Sequence, residues 1–209
     1  MVRMTGGAAI IKSLRKYGIN TIFGVPGVQL DYFFNALYDE RNAIRFIHNR
    51  HEQGSGYMAF GYAASSGKVG TYAVVPGPGF LNSSSALSTA YACNSPVLCI
   101  SGQVPSNRIN RNLGSHHEIN DQLGVLSRLT KWSDRINHPT EAPGIIETAF
   151  QQLRSGRIRP VGIEAAPDTL ELEAEITLLE AMPKPEGLKP DPLLIETAAK
   201  ILGSAENPL

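Results

Sequence analysis

The sequence predicts an α/β fold, with a parallel central sheet carrying helices on both faces. Two observations predict it. Short apolar segments alternate with helical segments four times over about the first 100 residues, the order that crossovers between parallel strands require. The chain is also rich in sharp-turn residues, with 20 glycines and 14 prolines, and several of these stand where a strand-like segment ends. In such sheets ligands lie outside the carboxyl ends of the strands. The segments to examine are therefore residues 24–29, 49–53, 76–82 and 101–105.

The elements follow in order. Ile10, Ile11 and Leu14 recur at helical spacing in a helix over residues 5–17, which Gly18 closes as a C-cap. Residues 21–25 form a short strand ending in Pro26-Gly27. A helix over 31–38 turns Phe33, Phe34 and Leu37 inward, and residues 44–47 form the next strand. Small and aromatic residues make a helix over 51–66, stopped by Gly67. A strand over 71–75 is broken by Pro76-Gly77-Pro78-Gly79, a helix spans 81–93, and residues 96–100 form a buried strand. Further on, a helix over 142–153 takes Thr140 as its N-cap, and a strand covers 159–165. Proline and charge then mark an extended linker at 181–192, before a last helix over 193–202 that ends at Gly203. The expected domains are 1–180, the linker 181–192, and the opening of a second domain at 193–209.

Composition narrows the function. Hydrophobic residues at 42% and charged residues at 18% suffice for a globular core. Lys plus Arg and Asp plus Glu both number 19, so no net charge draws the chain to nucleic acid or an anionic membrane. There is no apolar signal core and no run of membrane-span length. Cys93 and Cys99 lack metal-ligand spacing and read as reduced, buried thiols of a cytoplasmic protein.

Single residues say little in isolation. Glu52 in a first helical turn can simply complement the helix dipole. Pro76-Gly77-Pro78-Gly79 can be a rigid turn, or a place where the backbone approaches a flat ligand too closely for a side chain. Asn82 can cap the following helix, fix the loop or face a ligand. His116 and His117 suit proton transfer, since imidazole titrates near neutrality, but no third ligand suggests a metal, and no metal site is expected in this chain.

Four motifs in register decide between these readings. They are Phe23-Gly24-Val25-Pro26-Gly27, the run from Arg50-His51-Glu52-Gln53 to Gly61-Tyr62-Ala63 and Gly67-Lys68, Pro76-Gly77-Pro78-Gly79 with Asn82, and Ile100-Ser101-Gly102-Gln103-Val104-Pro105. Each stands at a predicted strand end. Together they resemble the pyrimidine-binding (PYR) domain of thiamine-diphosphate-dependent enzymes of the acetolactate-synthase-like group, over about residues 4–170. The resemblance implies that Glu52 is the catalytic acid. It would hydrogen-bond the aminopyrimidine ring and favour the imino form that removes the thiazolium proton, while the cofactor carries the electron-sink chemistry. It further implies that Pro26, Gly27, Val75, Pro78 and Asn82 line the cofactor with Glu52, and that Val28, Gln29, Gln103 and His117 face the substrate.

Two departures and one absence refine the picture. Relatives that act as simple decarboxylases or lyases carry an Asp or His in the turn where this chain has Val28 and Gln29. With no acid or base there, a carboligase acting on a 2-oxo acid fits better. The position of His117 is commonly aromatic in the synthase-like group. No Gly-Asp-Gly occurs, so the diphosphate and its Mg2+ would be held by the PP domain of another subunit, in a homodimer or homotetramer. Helices with small-residue faces at 54–64 and 83–92 suit that close contact. The resemblance leaves FAD open for the parent, and it implies an excised or truncated N-terminal piece. Two rivals stand beside this reading. A nucleotide-binding Rossmann-like domain lacks its Gly-x-Gly-x-x-Gly turn here. A non-catalytic or regulatory domain of the same fold would be expected to have lost Glu52.

Overall fold

A computed structural model describes residues 1–183, 185–187 and 189–207. The elements are β1 (Val2–Thr5), α1 (Gly6–Lys16), β2 (Thr21–Gly24), α2 (Asp31–Asp39), β3 (Arg45–His48), α3 (Glu52–Ser66), β4 (Gly70–Val74) and α4 (Pro78–Ala92). They continue with β5 (Val97–Gly102), α5 (Gln122–Leu129), β6 (Trp132–Ile136), α6 (Ala142–Arg154), β7 (Val161–Ala165), α7 (Pro167–Glu171), β8 (Glu173–Ile176) and α8 (Pro192–Ser204). Six strands form one parallel sheet in the order β3-β2-β4-β5-β7-β6, and β1 pairs antiparallel with β8 at its own small sheet.

Side chains alternate across the sheet with the period of two that a strand dictates. Ile22, Ala73, Leu98, Ile100 and Ile163 join one apolar cluster with Ile10, Ile11 and Leu14 of α1, Phe33 and Leu37 of α2, and Ile146, Phe150 and Leu153 of α6. Phe23, Tyr72, Val74, Val97 and Cys99 join a second cluster with Ala59 and Ala63 of α3, Phe80, Leu87 and Ala90 of α4, and Leu126 of α5. Burial of each large aliphatic or aromatic side chain contributes about 1.5–3 kcal/mol, so the first face supplies much of the core.

Local signals act mostly as expected. Thr5 caps α1 by accepting from the Ala8 N–H, and Gly67 ends α3 at φ +67°, a left-handed conformation that costs glycine nothing. Two expectations are corrected. The helix expected from residue 81 already starts at Pro78, because proline needs no N–H in a first turn. Thr140 does not cap α6; it lies in a short 3-10 turn, Pro139–Glu141, that His138 and Glu141 close with a reciprocal capping box. The structure also adds β1, β8, α5, β6 and α7, to which no expectation had been attached.

Of the predicted linker over 181–192, Lys184 and Leu188 lie outside the described residues, as do Pro208 and Leu209 at the end of the predicted second domain. The last helix forms over Pro192–Ser204, with Asp191 accepting from the Leu193 N–H at 2.8 Å; Gly203, expected to end it, lies within it. Leu193, Leu194, Ile195, Ile201 and Leu202 on it are all exposed. Among the described residues no helix is long and apolar enough to cross a membrane.

Candidate functional site

The amino-terminal ends of three helices meet beyond the carboxyl ends of β2, β4 and β5. Glu52 is the first residue of α3, where His51 caps the helix by accepting from the Gln53 N–H at 3.2 Å. The Glu52 carboxylate is half-buried and accepts from Asn82 Nδ2 at 3.0 Å. Asn82 is thus not the cap of α4, a place that Gly77 takes without any side-chain bond. Exposed Asn82 instead steers the carboxylate.

Val75 forms the floor. It is buried, and the backbone of both neighbouring loops rests on it. A Cβ on Gly27 would collide with Val75 Cγ1. A Cβ on Gly79 would fall 2.6 Å from Val75 Cγ2 and 3.5 Å from Glu52 Oε1. Gly27 and Gly79 are therefore required by space, and Gly79 leaves bare backbone beside the carboxylate. Pro26 and Pro78 are exposed at the rim of this cluster. A half-buried carboxylate, an apolar floor and flat glycine backbone together fit a flat heteroaromatic ring with a nitrogen to hydrogen-bond.

The residues expected to face substrate separate into two groups. Val28 is 66% exposed, whereas its neighbour Gln29 turns inward and donates Nε2 to the His116 carbonyl at 3.4 Å. His117 has φ +67°, and its carbonyl oxygen packs so tightly on Gly77 that a Cβ there would overlap it. The two imidazoles stack with centroids 3.8 Å apart. Burial pushes the His117 imidazole below its usual range, the neighbouring His116 adds to this, and Glu52 opposes it. His117 is accordingly neutral at pH 7 and carries no net charge toward Glu52. Gln103 belongs elsewhere. It is only 3% exposed, its Nε2 donates to Glu164, and its Oε1 accepts from the Val104 N–H at 2.8 Å, so both ends are satisfied inside the chain.

Three polar residues of this region carried no expectation: Gln122, Glu164 and Arg135. Gln122 accepts from the Gly77 N–H at 2.8 Å and donates to Glu164 at 2.8 Å, while Arg135 Nε meets Glu164 at 2.6 Å. A lone acid inside the apolar run at 161–165 was the available signal, because a buried carboxylate must find partners. Among the described residues no group of three or more side chains is arranged to hold a metal.

Residues 4–125 match the family described as thiamine pyrophosphate enzyme, N-terminal TPP binding domain. The chain belongs to that family. Its cluster around Glu52, Val75 and the two glycines lies within the matched span. The chain is 37% identical over 99% of its length to the probable acetolactate synthase large subunit of Methanocaldococcus jannaschii, covering 35% of that protein. It is 36% identical over 99% of its length to the acetolactate synthase of Arthrospira platensis, covering 36% of it. It is also 38% identical, over 80% of its length, to the probable 2-ketoarginine decarboxylase of Pseudomonas aeruginosa, covering 30% of that protein. The chain thus spans about a third of the length of the curated relatives it matches.

Proposed function

We propose that this domain is the pyrimidine-binding half of an enzyme that decarboxylates a small 2-oxo acid and joins the remaining fragment to a second carbonyl compound, as in acetolactate formation from pyruvate. The observation that carries the reading is the half-buried Glu52 carboxylate, steered by Asn82 and set beside Val75 and Gly79. When bound, thiamine diphosphate supplies the carbon nucleophile and the electron sink for decarboxylation. The chain's own part is to bind and orient. Glu52 would share a proton with a ring nitrogen of the aminopyrimidine, Asn82 would hold the carboxylate in place, and Val75 with the backbone of Gly27 and Gly79 would pack on the ring face.

Mg2+ and the diphosphate would be held by the PP domain of another subunit, and FAD remains open for the parent enzyme. A homodimer or homotetramer would bring that PP domain to the site; the small-residue faces of α3 and α4 are spent on each other within the chain, Gly56 against Ala86, and the exposed Tyr57, Met58 and Leu81 of the same two helices are what an opposing subunit would cover. Light scattering on the full-length protein should give no monomer at micromolar concentration.

Val28 and Gln29 offer no acid or base, which supports carboligation over aldehyde release. A second reading, decarboxylation with release of an aldehyde, is favoured by the stacked His116 and His117 beside the site and by the likeness to the ketoarginine enzyme. The test is calorimetry of thiamine diphosphate with Mg2+ on the full-length enzyme and its Glu52→Gln variant, followed by product analysis with pyruvate. Acetolactate supports the first reading and acetaldehyde the second. A protein that binds no thiamine diphosphate is a non-catalytic member of the fold.

A further inference from the structure

Gln122, the first residue of α5, has no part in the proposed chemistry, yet it is 1% exposed and makes four hydrogen bonds. The two hydrogens on its Nε2 go to Glu164 Oε2 at 2.8 Å and the Gly102 carbonyl at 2.9 Å, with Ser101 Oγ sharing one of them at 3.3 Å. Its Oε1 accepts from the Gly77 N–H at 2.8 Å. The orientation of the amide is dictated from below. Glu164 is 0% exposed and paired with Arg135, whose Nη2 lies 2.5 Å from its Oε1. A carboxylate and a carbonyl can only accept, so the glutamine must turn its NH2 inward and its oxygen toward the loop.

The loop needs that oxygen. Gly77 opens α4 with no side-chain cap, at φ +56°, and its N–H is buried. Without Gln122 this donor would have no partner, at the cost of desolvating it for nothing. Gly77 also sits against the His117 carbonyl, and two residues later Gly79 rests on Val75 and faces Glu52.

We infer that Gln122 is a positioning residue for the cofactor-facing loop. It ties the buried carboxylate of Glu164 to the amide of Gly77, and so holds Gly79 at the distance from Glu52 that a pyrimidine ring requires. This rests on the proposed cofactor role of that loop.

The test uses the full-length protein with Gln122→Met and Gln122→Glu. In Gln122→Met, without cofactor, amide exchange at Gly77 and Gly79 should rise by about tenfold or more, while β5 and β7 stay protected. The Kd for thiamine diphosphate with Mg2+ should rise about tenfold, with a smaller change in kcat at saturating cofactor. In Gln122→Glu the new carboxyl, beside Glu164, keeps its proton more readily, and only the protonated form can donate inward while accepting from Gly77. Cofactor affinity and Gly77 protection should therefore be better at about pH 6 than at about pH 8. Unchanged exchange at Gly77 in Gln122→Met, a uniform rise across the whole sheet, or no pH dependence in Gln122→Glu would each overturn the inference. A wild-type protein that binds no thiamine diphosphate would overturn the cofactor reading instead, and exchange at Gly77 would still decide whether Gln122 holds the loop.

Discussion

The two faces of the central sheet are built from different materials. On one face α1, α2 and α6 press Ile10, Ile11, Leu14, Phe33, Phe150 and Leu153 onto the strands. On the other, α3 and α4 approach with Ala59, Ala63, Ala90 and Gly56, and large side chains come mainly from the strands and from Phe80 and Leu87. The helices of the second face also begin at the site: α3 at Glu52, α4 at Pro78 and α5 at Gln122. Small residues let these helices lie close together, so their first turns converge. The difference teaches that stability and chemistry are carried largely by opposite faces of the sheet.

The largest expected effect belongs to the second face. Glu52→Gln should lower turnover of the full-length enzyme by about 10²–10⁴-fold while leaving thermal stability and cofactor affinity near wild type. A large drop in melting temperature would break the division between faces. On the first face the outcome should be reversed. Leu14 is 0% exposed, and Leu14→Ala should cost about 2–5 kcal/mol in denaturant unfolding with turnover per folded molecule preserved.

A subtler change sharpens the contrast. A Cβ on Gly56 would stand 2.6 Å from Ala86 Cβ on the facing helix. Gly56→Val should force α3 and α4 apart, costing about 1–3 kcal/mol and weakening thiamine diphosphate binding as the distance from Glu52 to Gly79 changes. Stability loss without any loss of cofactor affinity would show that helix spacing and site geometry are uncoupled.

Smaller effects follow from titration and burial. The folded-state imidazole of His117 titrates below its ordinary value of 6.5. Its neutral form is the one the fold prefers, so its contribution to stability is complete above pH 6.5 and is lost as pH falls through the folded value. NMR titration should give a midpoint under 6.5, and the midpoint should fall further in Glu52→Gln, which removes the opposing charge. Last, Cys99 lies on the second face against Tyr72, and burial pushes its thiol up to about 12. It should resist alkylation in the folded protein, while exposed Cys93 is modified, as peptide mapping would read.

Much of this was legible in the sequence. The strand–helix alternation, Gly67, and the Pro76–Gly79 break are local signals, and local sterics carry them into the structure almost unchanged. Cys93, like the Thr140 cap and the start of α4, departs from the local expectation: it was expected to be buried and is exposed, because it follows the last residue of α4. The elements that escaped reading are short and depend on distant partners. β1 is four residues long and exists by pairing with β8, some 170 residues away in the register Arg3 to Glu175. β6, with the sequence Trp-Ser-Asp-Arg-Ile, has no strand-like apolar pattern, and Arg135 within it makes sense only against Glu164.

The sequence by itself determined five of the six strands of the central sheet, their turns, the family, and the candidacy of Glu52, Val75 and the glycines around them. These depend on residue type and on spacing along the chain, and both are written in one dimension. Only the tertiary structure decided that Asn82 steers Glu52, that Gln103 belongs to an interior network, and that Gln122 reaches the Gly77 amide from 45 residues further along the chain. A hydrogen bond between side chains depends on distance and direction in space. Residues far apart in sequence meet those conditions only once the strands beneath them have been ordered and their faces assigned.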